Sequence, residues 1–346
     1  MNSSNEHYDD QLTESTLAMD FLNQAGITER LNREGTTDVA VNRPFQLWTD
    51  GPKGWSCEAA PWLDYNLCMQ VANSLCALNY RHLSAQTPIH TVELPGEERG
   101  QIVMAPACEK GTLSMTFRKP TLERFLLSDY IDSGRFAGAQ AISAPVNKMA
   151  DWQNQLKAAH KRFDWIQFFQ LAVERRQNII IFGGPGSGKT TFGRTLMDLF
   201  PRNRRMLTIQ EIKELPLPYH PNHVHLFYGH VVTPKALVAS ALRMKPDHLF
   251  LAELTGDEVW HFMEILNTGT KGTVTTAHAN DSEAGYARVC SLVKQSEVGK
   301  SLDYDYIERL VRTSFDVVIY MEGTHIIEVH YEPEYKLALL ASKRNG

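Results

Sequence analysis

Apolar and polar residues change rhythm several times along this chain. From Leu17 to Leu31 apolar positions recur at roughly helical spacing, whereas "DVAVN" and "FQLWTD" alternate as short strands, with turns at Asn42-Arg43-Pro44 and Asp50-Gly51-Pro52. "WLDYNLCMQVANSLCALNY" returns to the helical period and predicts a core face of Tyr65, Cys68, Met69, Ala72 and Cys76. "TVELPGEERGQIVMAP" and "GTLSMTFRKP" read as paired strands. Residues 1–16 read as a polar tail, 17–144 as a small α+β domain, and 145–158, polar and opening on Pro145, as a linker.

The second half has a different grammar. A helix, "DWIQFFQLAVERR", is followed by the short strands "NIIIF", "RMLTI", "HVHLFY", "HLFLAEL", "GTVTTAH" and "FDVVIY". Helices are expected after the first of these and over 234–244 and 257–267, with Thr233-Pro234 as a capping hydroxyl followed by Pro at the first helical position. Strands alternating with helices supply the crossovers that a mostly parallel sheet requires, so residues 159–346 are expected to form an α/β domain.

Bulk properties narrow the possibilities. The 346 residues, 43% hydrophobic, suffice for two cores. A net charge of -5 and the lack of an aromatic-basic groove in the pattern argue against stable nucleic-acid binding. Cys57, Cys68, Cys76, Cys108 and Cys290 are scattered and form no C-x-x-C pair, which suggests a reducing compartment. The first charged side chains are acidic, unlike a signal peptide's basic start, and no apolar run approaches the length that spans a bilayer. Any work at a membrane is expected to be done from outside the lipid.

The sharpest chemical signal is "IFGGPGSGKTTF". Gly183, Gly184, Pro185, Gly186, Ser187, Gly188, Lys189, Thr190 and Thr191 fit a phosphate-binding loop between a strand and a helix. Its N–H groups and the following helix end would cradle phosphate, Lys189 would reach the β- and γ-phosphates, and the Thr190 hydroxyl would take a site on Mg²⁺. Such a loop predicts a nucleoside triphosphate ligand. Glu253, at the end of "HLFLAEL", is placed to contact metal-bound water, and Glu211, after "RMLTI", is a second candidate for orienting or deprotonating the attacking water. His278 ends the strand "GTVTTA" and is a candidate γ-phosphate sensor. Arg118 would neutralise developing charge if the first domain folded over the loop. His220, His223, His225 and His230 lack a zinc-ligand spacing and read as packing or surface residues.

The order of these motifs resembles the secretion-ATPase superfamily: the traffic ATPases of bacterial type IV secretion and conjugation systems, related to type II secretion and pilus-retraction motors. The resemblance covers nearly the whole chain from Leu17. It is carried by "TTDVAVNRPFQLWTD", "LPGEERGQIVMAPA", "SMTFRKP", "GGPGSGKTTF", "RRMLTIQEIKEL", "PYHPNHVHLFY", "LRMKPDHLFLAELTGDE" and "NTGTKGTVTTAHAN". It implies a RecA-like ATPase domain behind a smaller α+β domain, ATP and Mg²⁺ held between the two domains, and a homo-hexamer. It also implies cytoplasmic placement, peripheral to the inner membrane, with the secretion channel's other ATPases and inner-membrane proteins as partners. Three of these motifs depart from the pattern. Gln210-Glu211 replaces the usual Glu then Asp, Ala252 and Thr255 stand where the family has Gly and Arg, and Thr270 replaces a His, leaving His278 as that box's principal imidazole. Gln210 cannot carry a proton in the physiological range. A hydrolytic motor therefore competes with a weakly hydrolytic scaffold subunit, a pilus or type II motor, and, more remotely, a helicase.

Overall fold

The structure is a computed structural model that describes residues 3–120, 124–139, 148–256, 258–267 and 269–341. The first domain comprises α1 (Ser3–Gln24), α2 (Ile27–Leu31), β1 (Asp38–Val41), β2 (Gln46–Asp50), β3 (Ser56–Ala59), α3 (Tyr65–Leu78), β4 (Ile89–Glu93), β5 (Arg99–Met104) and β6 (Leu113–Arg118). Its six strands form one antiparallel sheet in the order β3-β2-β1-β6-β5-β4. The α3 face predicted from periodicity meets the sheet: Cys68, Ala72 and Cys76 are buried, with Tyr65 and Met69 packed at the margin. Asp64 caps this helix by accepting the Leu67 N–H. The polar tail differs from expectation, since α1 begins at Ser3 and carries those residues into the first helix.

Between the domains lies α4 (Leu127–Asp132), followed by α5 (Asp151–Lys161). Of the expected linker, 145–147 fall outside the described residues, and 151–158 are the first eight residues of α5. Leu156 and Ala159 tuck into the second domain's core, so an amphipathic helix was concealed in a polar stretch. The remaining elements are α6 (Trp165–Glu174), β7 (Ile179–Gly183), α7 (Lys189–Met197), β8 (Met206–Gln210), β9 (His223–Phe227), α8 (Pro234–Arg243), β10 (His248–Leu251), α9 (Glu258–Leu266), β11 (Val274–Ala277), α10 (Ser282–Gln295), α11 (Tyr304–Ser314), β12 (Val317–Glu322), β13 (His325–His330) and α12 (Pro333–Ala341).

β10-β8-β9 and β11-β7-β12 are parallel sets, and β13 joins antiparallel as an edge. The sets abut at β10 and β11, where the Leu254 N–H bonds Thr276 O and the Thr273 and Thr275 hydroxyls donate to Leu249 and Leu251 carbonyls. All six strand ends foreseen from the sequence therefore emerge on one edge. The buried run Ile179–Phe182 sits between two apolar helical layers, as a central parallel strand must.

The first domain docks along β9 and the opposite, N-terminal edge of this sheet. Arg205, immediately before β8, is wholly buried. It donates to Asn42 Oδ1 and Asn222 Oδ1 at 2.7 Å, to Thr116 Oγ1 at 3.1 Å and to Met244 O at 2.8 Å, and lies over the Trp55 ring. Neutral acceptors from both domains thus solvate a guanidinium that burial holds down to about 10. Farther along the seam, Arg43 meets His223, the Phe227 N–H bonds Ala107 O, and Lys213 pairs with Glu109.

Two predictions concern this seam. Arg205→Ala strands several buried acceptors at once and should lower stability by at least about 3 kcal/mol, read as denaturant unfolding that splits into two transitions; one unchanged transition would contradict it. His223 and His225 are depressed to about 4 and about 3, first by burial and then by Arg43 and His223 respectively. With an unfolded value near 6.5, their stabilisation is present above that pH and is lost as pH falls toward the folded values. The unfolding midpoint should fall between pH 6.5 and 4, and His225→Asn should make that fall shallower; an identical slope would refute the assignment.

Candidate functional site

The strand ends bring the site together. β7 delivers the loop, whose glycines adopt conformations that other residues rarely take: φ is 156° at Gly183, 73° at Gly186 and 87° at Gly188. A Cβ on Gly183 would meet the Met321 carbonyl at 2.4 Å, so β12 leaves no room for a side chain there. Gly188 is the left-handed N-cap of α7, which places Lys189 and Thr190 in its first turn. Ser187 Oγ braces the loop by donating to Gly184 O at 2.9 Å, while Pro185, Gly186 and Thr191 are exposed and Gly184 is half-buried.

Lys189 is 6% exposed, yet it touches no carboxylate. Its ammonium donates to Gly183 O at 2.9 Å and Gly184 O at 2.8 Å, and lies 3.3 Å from His278 Nδ1. Burial lowers its pKa, and the nearby Glu253 charge opposes that shift. Because the ammonium only donates, His278 Nδ1 accepts, and the other ring nitrogen carries the proton. That nitrogen, Nε2, lies 3.0 Å from Glu253 Oε1. Lys189, His278 and Glu253 thus form one hydrogen-bonded row from three strand ends. A buried cation with neutral acceptors, at a helix N-terminus with its loop open, suits an incoming polyanion. Thr190 and Glu253 supply hydroxyl and carboxylate oxygens of the kind Mg²⁺ takes.

Glu211 is exposed at the end of β8. It belongs to a group that sequence reasoning missed, centred on Tyr228, whose hydroxyl is pushed up to about 12 by burial and by Glu211, Glu258, Glu253 and Glu214 in that order. Tyr228 read only as a strand end. Glu258 was also overlooked; it accepts the Thr255 and Gly256 N–H groups at 3.0 and 2.9 Å and shapes the turn after Glu253. The sequence signal for that cap was an acid three residues past Thr255.

Arg118 is not brought to the loop of its own chain. It donates to Asp38 Oδ1 at 2.9 Å, and Asp38 is also held by Lys245, on the approach to the N-terminal end of β10. Asp38, shared with Lys245, holds Arg118 on the side of the sheet that carries the amino ends of β8 and β10, away from the end of β7 where the phosphate loop begins. The histidine run carries packing roles, since His220 Nε2 meets Phe200 O and His225 Nδ1 meets the Thr208 hydroxyl. Among the described residues, no cluster of three or more His, Cys, Asp or Glu is arranged to hold a metal ion.

A family model described as Type II/IV secretion system protein matches residues 150–323. The type IV secretion system protein VirB11 of Brucella suis is 36% identical over 318 residues, covering 88% of this chain and 87% of that protein. The chain belongs to the VirB11 family of type IV secretion ATPases. VirB11 of Bartonella henselae is 34% identical over 340 residues, covering 93% and 95% of the two chains, and PtlH of Bordetella pertussis is 33% identical over 316, covering 88% and 90%. The crystal structure of the Brucella suis VirB11 ATPase in complex with sulphate superposes with a TM-score of 0.91 at 35% identity, covering 96% of this chain and 99% of that one. The two-domain α/β architecture of this VirB11-type chain is therefore the family's own.

The loop geometry yields a prediction. Gly183→Ala cannot be accommodated without moving β12, because the obstruction is backbone. Nucleotide binding, followed by titration of a fluorescent ATP analogue, should weaken by at least about 10²-fold while the far-UV spectrum is kept. Parental affinity would show that the loop does not depend on that close approach.

Proposed function

We propose that this chain is the hydrolytic motor of a type IV secretion or conjugation apparatus, binding ATP with Mg²⁺ at the phosphate loop. The observation that carries this reading is the row Lys189–His278–Glu253, in which a buried ammonium awaits an anion and is already wired to a carboxylate. Lys189 would exchange the Gly183 and Gly184 carbonyls for phosphate oxygens. His278, relieved of that partner, would then report nucleotide occupancy, and Glu253 would orient or deprotonate water beside it. Mg²⁺, held through Thr190 and, by way of water, Glu253, would neutralise charge on the phosphates. Glu211 would act electrostatically from the neighbouring strand end.

The motor would work as a ring of six, peripheral to the cytoplasmic face of the inner membrane, beside the channel's other ATPases and inner-membrane proteins. Family membership supports this, and among the described residues no helix is long and apolar enough to cross a membrane. Since Arg118 lies at the far edge from its own loop, any catalytic role for it would be exerted on a neighbouring subunit's site, where the first domain of one copy would cover the nucleotide of the next. A weakly hydrolytic scaffold is the second reading, favoured by Gln210, whose side chain is engaged elsewhere.

Steady phosphate release separates the two. Turnover is expected, lost in Lys189→Ala and reduced at least about 10²-fold in Glu253→Gln with nucleotide binding kept. Glu211→Gln should cost less. Binding without release above the Lys189→Ala background would favour the scaffold, and a fully active Glu253→Gln would move the water-handling role to Glu211.

A further inference from the structure

We propose that Gln210 is a positioning residue for turnover: its neutral amide closes the acidic loop Glu211–Leu215 and at the same time donates a proton to Thr208, two tasks a carboxylate at this position would not perform together. The inference rests on the ATPase reading above. Gln210 ends β8 and is wholly buried. Its Oε1 accepts the backbone N–H groups of both Glu214 and Leu215 at 2.8 Å, so one side chain closes the loop that begins at the very next residue.

Those two donors fix which end of the amide is oxygen. Nε2 therefore donates, to Thr208 Oγ1 at 2.7 Å. Thr208 then spends its own proton on His225 Nδ1, 2.8 Å away, and His225 is neutral with its proton on Nε2. Every bond in this row has one polarity. The loop is fastened at further points: Arg194, on the helix that carries Lys189, donates to Glu214 O at 2.5 Å, Lys213 pairs with Glu109 of the first domain, and Leu215 is buried in the core. Glu211 is thus held between the phosphate-loop helix and the domain seam, with Gln210 as the fixed point.

A carboxylate in place of the amide would accept the same two N–H groups but bring no proton for Thr208. The Thr208 hydroxyl would turn to it, and His225 would have to move its single proton from Nε2 to Nδ1 to keep the Thr208 contact. Around that ring stand His223 on β9, Lys213 on the loop and Arg43 and Glu109 from the first domain; burial together with the cations opposes a second proton, so the ring stays neutral and cannot offset the charge of a buried carboxylate. A protonated carboxyl, by contrast, reproduces the amide's donor and acceptor. The family's usual Glu would therefore not restore activity to this chain; it would make activity depend on pH.

Phosphate release at saturating ATP between about pH 5.5 and 8.5, with hydrogen exchange of the 214 and 215 amides, tests this in Gln210→Glu and Gln210→Ala. The ratio of Gln210→Glu to parental turnover should fall about tenfold or more as pH rises through the introduced carboxyl's titration. In Gln210→Ala the two amides should exchange at least about tenfold faster, and kcat should fall about tenfold with the KM for ATP within about twofold. A ratio flat with pH, unchanged exchange at 214 and 215, or a loss confined to KM would overturn the proposal. The exchange measurement needs no hydrolysis, so an inactive parent would sink the motor reading, whereas unprotected amides in the parent would sink this one.

Discussion

Parallel pairing in the second domain is the constraint on which the rest depends. Because β7, β8, β10 and β11 run the same way in register, their carboxyl ends, and with them Gly183, Gln210, Glu253 and His278, are delivered to one edge. Lys189 and His278, 89 positions apart in sequence, meet there at hydrogen-bond distance, and His278 meets Glu253 from the neighbouring strand end. The other edge receives the strands' amino ends, Arg205, Asn222 and Asp247, and is given over to docking the first domain. One sheet thus separates chemistry from assembly. Arg118, held by Asp38 beside Lys245 at the amino-end edge, belongs to the seam.

The strand-helix alternation and the phosphate loop were legible because both are local. Apolar runs of four to six residues bounded by glycine or charge read as buried strands, and Thr233-Pro234 marked a helix start that the structure keeps, with the Thr233 hydroxyl accepting the Ala236 N–H. Glu253 and His278 were identifiable from their place after such runs. Tyr228 was not, since its surroundings depend on which strand end lies beside it, and that is set by the strand order β9-β8-β10 rather than by any spacing in the chain, whereas Glu258 carried a local signal in its spacing from Thr255. The helix α5 was missed for a related reason: only Leu156 and Ala159 of its residues are buried, too few for a clear periodic signal. The domain arrangement was the least legible feature. Nothing in the surroundings of Arg205 in sequence marks it as the wholly buried member of a cluster that includes Arg202 and Arg204.

The seam and the site are nevertheless mechanically connected. β9 is covered by the first domain and carries His223 and His225; β8, beside it, carries Thr208 and Gln210; and the loop after β8 touches α7 through Arg194 and the first domain through Lys213. Each link is a hydrogen bond or ion pair with a defined partner, so displacement of the first domain along β9 has a short, continuous route to the helix behind Lys189. This is spatial continuity, and coupling would further require that the loop have two arrangements which docking and nucleotide bias differently.

That route also changes how departures from a family pattern should be read. From sequence alone, Gln210 in place of an acid and Thr255 in place of an arginine look like losses of charge from a catalytic site, and both favour a degenerate enzyme. In the fold each stands in a completed local network. Gln210 satisfies two backbone donors and one hydroxyl without a net charge, and the Thr255 N–H and hydroxyl both face Glu258 Oε1, so the turn after Glu253 is held by a carboxylate already in place. A buried position tolerates replacement of an acid by an amide when its neighbours need a donor as well as an acceptor. Loss of an ionisable group is then evidence about the neighbours' proton arrangement before it is evidence about catalysis, and the Lys189–His278–Glu253 row, which neither departure interrupts, is where catalytic competence has to be judged.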